Sequence, residues 1–170
     1  SLLESLTHAK PLVADYPYTT REPMTGMMTF ETVQLQLIDT PPISDEMYEP
    51  YMANLIRNAD VVALVCDSTD PDCLAKIDYV IQTLEEKHIL LRTDLSHQSD
   101  DPSNYTKRTL VCAHKAFEDE SAAGAEAIRQ RFSGFAVVET SVLDDSSLSQ
   151  FKKAVFDSLG VIRVYTKHIG

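Results

Sequence analysis

Short apolar runs that alternate with stretches of helical period predict an α/β domain: a mainly parallel sheet with helices on both faces and one antiparallel hairpin. Two further observations support this. Several of the runs are continuous, as in strands covered on both faces, and one pair instead alternates apolar with polar residues, as a hairpin near a sheet edge does. The chain has 170 residues, enough for one well-cored domain with at most a short extension.

In chain order, Gly26 to Thr32 and the alternating Val33-Gln34-Leu35-Gln36-Leu37-Ile38 form the expected hairpin. Ser44 with Asp45 and Glu46 suits a helix start, and Met47, Tyr51 and Leu55 follow at a spacing of four. Asp60 to Asp67 is a continuous apolar run flanked by acids, expected to be a parallel strand covered on both faces. Asp70 then Pro71 caps a helix whose inward residues are Leu74, Ile77, Ile81 and Leu84. Arg92 to Lys107 is polar and is expected to be an exposed, mobile insertion.

Thr109 to Ala113 and Phe135 to Val138 repeat the buried-strand pattern, with a helix from Glu118 to Phe132 between them. The last helix runs from about Ser147, with Leu148, Phe151, Val155 and Leu159 inward, and Gly160 ends it. Val161 to Tyr165 is a further β-like run, after which the chain ends abruptly.

Charge narrows the partners. Asp+Glu 26 against Lys+Arg 15 leaves −11, so no general field draws this surface to DNA or anionic lipid. Cys66, Cys73 and Cys112 show no CxxC pairing and fit a reducing, cytoplasmic setting. No stretch approaches the ~20 apolar residues of a membrane span. The histidines and cysteines have no zinc-ligand spacing, and no G-x-S-x-G elbow for a serine nucleophile occurs.

In an open parallel sheet, ligands sit beyond the carboxyl ends of the strands, so the informative residues follow the strands. These are Asp39-Thr40-Pro41-Pro42, Asp67-Ser68-Thr69-Asp70, Ala113-His114-Lys115-Ala116-Phe117 and Glu139-Thr140-Ser141. An acid placed as Asp39 is can hold a water of hydrated Mg²⁺ against a nucleotide phosphate. It can equally begin a turn, since Asp and Pro are common turn residues.

Ala9-Lys10-Pro11, Tyr16-Pro17-Tyr18-Thr19-Thr20 and Pro23-Met24-Thr25-Gly26 closely resemble, in that order, the first switch of the Obg/DRG family of GTPases. Leu37-Ile38-Asp39-Thr40-Pro41 is similar to the second switch, and Gly160 to Lys167 to the entry into a TGS domain. The resemblance implies a three-layer P-loop GTPase-like domain over residues 1–160 and the start of a truncated TGS-like domain at 161–170. It further implies GTP or GDP with Mg²⁺ as cofactors of the full-length protein, and ribosome or rRNA as its partner. Thr19, Thr20, Asp39, Lys115 and Ser141 become the nucleotide-binding residues, with Thr20, Asp39 and Ser1 toward the metal.

The same resemblance exposes departures. Ser1 to Leu6 looks like the helix after the phosphate-binding loop, and the glycine-rich loop ending in Gly-Lys-Ser is not in the sequence. The chain is therefore expected to be a fragment, inactive alone and without the family's central first strand. Open sheet edges would then invite self-association, or the neighbouring strands would close up. Pro42 stands where the family has glycine, and His114-Lys115-Ala116-Phe117 where it has Asn-Lys-x-Asp, so Phe117 replaces the guanine-reading carboxylate. A nucleotide-independent interaction module is the alternative reading.

Overall fold

The computed structural model describes residues 1–7, 23–44, 49–96 and 99–161. The alternating runs form the expected hairpin: β1 (Met24–Phe30) pairs antiparallel with β2 (Val33–Asp39), from Met24 opposite Asp39 to Phe30 opposite Val33. A second, parallel sheet is built on β5 (Tyr105–His114). On one edge of β5, β3 (Val61–Asp67) pairs along residues 108–114. On the other edge, β4 (Ile89–Arg92) pairs along 105–108 and β6 (Ala136–Thr140) along 110–114, end to end. The mainly parallel arrangement with one antiparallel hairpin agrees with the expectation.

Helices cover both faces. On one, α2 (Pro50–Asn58), α3 (Cys73–Glu86) and α4 (Ser121–Arg131) bury Ala53, Ile56, Ile77, Leu84, Ile128 and Phe132 against Leu64, Cys66, Val111 and Ala113. On the other, α1 (Leu2–Thr7) and α5 (Asp145–Leu159) contribute Leu6, Leu148, Phe151 and Val155 against Leu110 and Cys112. Met28 of the hairpin is fully buried in this second cluster, with Leu35 and Leu37 packed beside it. Among the described residues the two sheets share no strand pairing, so β2 and β3 have not closed up on one another. The Phe30 ring, whose centroid lies 5.1 Å from that of Phe156 on α5, adds to the attachment.

Several boundaries differ from the sequence expectation. The helix placed at Ser44 begins instead at Pro50, and residues 45–48 lie outside the described residues. Proline inside a helix loses a hydrogen bond and collides with the carbonyl four residues back, but at the first position it is harmless. Of the expected inward residues Tyr51 and Leu55 are only half-buried and Met47 lies outside the described residues; the buried stripe is Met52, Ala53 and Ile56. The third helix starts at Ser121, not Glu118, because Glu120 takes φ 68° and Glu118 belongs to the preceding turn. The polar stretch from Arg92 is shorter than expected: Arg92 ends β4, and Tyr105 to Lys107 begin β5.

β3 is not covered on both faces. Leu64 and Cys66 are buried, whereas Val65, which points the other way, is 50% exposed. α5 begins at Asp145, slightly ahead of the Ser147 start expected, with Asp144 as its cap: the Asp144 carboxylate accepts the Ser147 N–H at 2.8 Å. It ends after Leu159 as expected, where Gly160 adopts φ 65°, a left-handed conformation that glycine tolerates without strain. No helix among the described residues is long and apolar enough to cross a membrane. The β-like run Val161 to Tyr165 falls, except for Val161, outside the described residues.

Because the hairpin is attached by side chains, its anchor carries its stability. Met28→Ala should cost about 2–5 kcal/mol of unfolding free energy in urea titrations, the range for deleting a buried methionine side chain. A loss below about 0.5 kcal/mol would show that the cavity collapses or that the hairpin is held by other contacts.

Candidate functional site

The carboxyl ends of β3, β5 and β6 lie side by side, as parallel pairing requires, and hydrogen bonds lock their loops together. Ser68 N–H donates to the His114 carbonyl at 2.8 Å, and Ala116 N–H donates to the Thr140 carbonyl at 3.1 Å, extending the ladder past the strands. Fully buried Thr140 also brings its hydroxyl to His114 Nδ1 at 3.0 Å and Cys112 Sγ at 3.1 Å. Burial is the main cause that lowers the His114 pKa below its usual range, which favours the neutral imidazole.

Asp67, at the end of β3, is the charged hub of these loops. Its Oδ2 accepts from Lys115 Nζ at 2.7 Å, and its Oδ1 accepts from the Thr69 N–H at 3.0 Å and the Thr69 hydroxyl at 2.7 Å. Partial burial pushes this carboxyl up, but the Lys115 and Thr69 hydrogen bonds outweigh it and hold the pKa at about 2. Lys115 itself sits at φ 58°, a left-handed conformation that costs a non-glycine residue about 1–2 kcal/mol. Such strain persists only where surroundings impose it, and here the ion pair and the Glu118 N–H donating to the Lys115 carbonyl at 3.2 Å do so.

The turn that follows is stapled from beneath. Buried Ser121 donates its hydroxyl to the Ala116 and Glu118 carbonyls, both at 2.6 Å. Gly124 lets α4 approach the β3 loop: a Cβ there would fall 2.0 Å from the Ser68 carbonyl oxygen, which no side chain can accommodate. Phe117 emerges from this turn 58% exposed. On the neighbouring β6–α5 loop, Val142 and Leu143 are also exposed.

The predicted residues are distributed as follows. Lys115 and Ser141 meet on adjoining loops, with the Ser141 N–H donating to Ser147 Oγ at 3.1 Å, so offering it to a purine oxygen would break that bond. Asp39 stands at the end of β2, exposed, and no ion pair joins it to a described side chain. Desolvation by its surroundings is the main cause that raises its pKa, and the Thr40 N–H acts the other way. Ser1 Oγ accepts the Glu4 N–H at 3.3 Å, capping α1. Thr19 and Thr20 lie outside the described residues.

Pro42 is exposed, while Ile43 packs against the core cluster beneath α2 and α3 and so tethers the loop after β2. Among the described residues, no group of three or more His, Cys, Asp or Glu side chains is arranged to hold a metal ion. An Mg²⁺ that keeps its waters needs only hard oxygen donors such as the Asp39 carboxylate and a serine hydroxyl, so the donor chemistry fits. Asp67 and Thr140 received no role from the sequence, although Asp67 follows an apolar strand just as Asp39 does.

Residues 1–94 match the family described as 50S ribosome-binding GTPase. Among curated proteins, the chain is 34% identical to GTPase Obg of Flavobacterium johnsoniae over 91 residues, covering 49% of this chain and 27% of that protein. It is 26% identical to GTPase Obg of Pelagibacter ubique over 163 residues, covering 89% of this chain and 45% of that protein. The chain thus spans less than half the length of these relatives. Among solved structures it is similar to the cytosolic domain of the T. maritima FeoB iron transporter in a GDP form, with TM-score 0.62, 21% identity and coverage of 96% of this chain and 59% of that one. The G domain of the same transporter aligns with TM-score 0.60 and 21% identity, over 92% of this chain and 88% of that one.

The Asp67–Lys115 pair is directly testable. A carboxyl held at about 2 in the folded state, against an ordinary 3.8, stabilises the fold above pH 3.8, and that contribution is lost as pH falls through 2. An NMR titration should find the Asp67 midpoint near 2, and Lys115→Met should move it up toward 3.8. A midpoint indifferent to that substitution would assign the effect to Thr69 alone.

Proposed function

The chain belongs to the 50S ribosome-binding GTPase family, and from that membership we propose that it is the switch-bearing part of a GTP-dependent molecular switch. The observation that carries this reading is Asp39: a carboxylate at the carboxyl end of β2 that makes no ion pair with any described side chain. In the full-length protein, GTP and GDP are its ligands and ribosome or rRNA its partner surface. Nucleotide binding and hydrolysis are, in this reading, properties of the full-length protein, to which the switch residues of this chain contribute.

Mg²⁺, when bound with the triphosphate, supplies the positive charge that offsets the β- and γ-phosphates. Toward it, Asp39 offers a carboxylate oxygen or the hydrogen bond to a metal-bound water, Ser1 a hydroxyl, and Thr20 of the Thr19-Thr20 pair a second hydroxyl. The raised pKa of Asp39 suits this role, since a neighbouring dication relieves the cost of holding a partly desolvated carboxylate. Pro42 has no N–H to offer a γ-phosphate, so sensing falls to the threonines and Asp39. Lys115 and Ser141 lie on the loops that would face the base. Residues 161–170 begin a TGS-like domain in this reading, and the edges of β2 and β3 that are unpaired among the described residues are where copies would associate.

A second reading, a GTPase-like interaction module independent of nucleotide, draws on Pro42 and on the Lys115 ammonium being occupied by Asp67. Calorimetric titration of the full-length protein with GTP and Mg²⁺ separates the two. Binding should be seen, and Asp39→Asn should weaken triphosphate-Mg²⁺ binding at least about tenfold, the loss of roughly one charge-assisted contact. Absence of heat in the wild type would favour the module, and an Asp39→Asn protein that binds as the wild type does would return Asp39 to a turn residue.

A further inference from the structure

The loops beyond β5 and β6 offer a nucleobase an unusual set of groups. Three apolar side chains are exposed there, Phe117 at 58%, Val142 at 38% and Leu143 at 85%, on two loops joined by the Ala116 N–H to Thr140 carbonyl bond. The polar groups beside them are mostly engaged. Both Asp67 oxygens are held by Lys115 and Thr69, His114 Nδ1 by Thr140, the Ser141 N–H by Ser147, and Ser141 Oγ accepts the Leu143 N–H at 3.2 Å. Glu118, on the same turn, is a further carboxylate whose charge is felt by His114 and Lys115.

Selecting guanine over adenine requires a fixed acceptor for the guanine N1–H and N2–H₂, because adenine presents an acceptor at N1 and a donor at N6. A phenyl ring presents neither. It offers a π-face, and stacking holds every base about equally, contributing about 1–3 kcal/mol. Resting on the nucleotide reading above, we infer that the base is held by stacking on Phe117, with Val142 and Leu143 exposed on the adjoining loop, and that this site takes purine nucleotides without distinguishing guanine from adenine. Phe117 is then the specificity-determining residue. The Ser121 staple beneath the turn keeps the ring presented without a separate ordering cost on binding.

The test is calorimetry on the full-length protein with GTP, ATP and inorganic tripolyphosphate, each with Mg²⁺. The wild type should bind GTP and ATP with dissociation constants within about tenfold, under ~1.4 kcal/mol. Phe117→Ala should weaken both nucleotides alike, by about 5- to 100-fold, while leaving tripolyphosphate unchanged. Phe117→Asp should introduce a preference for GTP of more than about tenfold. The proposal is overturned by a wild-type preference beyond tenfold, by a Phe117→Ala protein that binds both nucleotides normally, or by a GTP preference that disappears in Glu118→Gln. If no ligand binds, tripolyphosphate included, the switch reading fails and takes this inference with it; if tripolyphosphate binds and the base dependence differs, only the inference fails.

Discussion

Among the described residues, the hairpin that carries Asp39 is joined to the parallel sheet by side-chain packing and not by a backbone ladder. A ladder fixes register residue by residue, whereas apolar burial is non-directional and fixes a position only through shape. Everything on the β2 side of the molecule therefore depends on how Met28, Leu35 and Leu37 seat among Leu6, Leu110, Phe151 and Val155. The β5 and β6 loops are placed differently, by hydrogen bonds that continue the strand pairing beyond the last residue of each strand. One half of the candidate site is thus set by packing and the other by directional bonds.

That difference suits a switch. Elements that move are drawn from the parts of a fold with few backbone ties, and elements that recognise are better held rigid. Lys115 illustrates the rigid half: a left-handed backbone, an ion pair to Asp67 and a turn closed by Ser121 all act on one short stretch of chain. Asp39 illustrates the other half, with a carboxyl that its surroundings desolvate and that no described side chain neutralises.

Much of the architecture is legible in the sequence because apolar periodicity is strong in the runs that form β2, β3, β5 and β6, and in α3 and α5. β4 is not, because Ile89 to Arg92 is only four residues long and follows directly on α3 without glycine or proline to mark it. The start of α2 is set at Pro50, a first-position proline that the reading of a helix start at Ser44 does not use. Within the site, Asp39, Lys115 and Ser141 sit in the loops after strands, where ligands are expected, and it is the resemblance to the Obg/DRG family that singles them out there. Asp67 and Thr140 cannot be given roles that way, since a hydrogen-bond hub is defined by what folds against it. Thr19 and Thr20 fall outside the described residues.

Three free thiols lie on the two sides of the sheet: Cys66 and Cys73 in the cluster beneath α3, Cys112 in the cluster that seats the hairpin. Burial raises all three above the ordinary thiol range, so in the closed molecule they are shielded and scarcely ionised. Alkylation must then wait for opening, and each sulfur keeps time for its own layer. Modification of Cys112 ahead of Cys66 would register the hairpin lifting away while the helices on the far side stay in place, a built-in clock for the part of the fold that has no ladder to hold it.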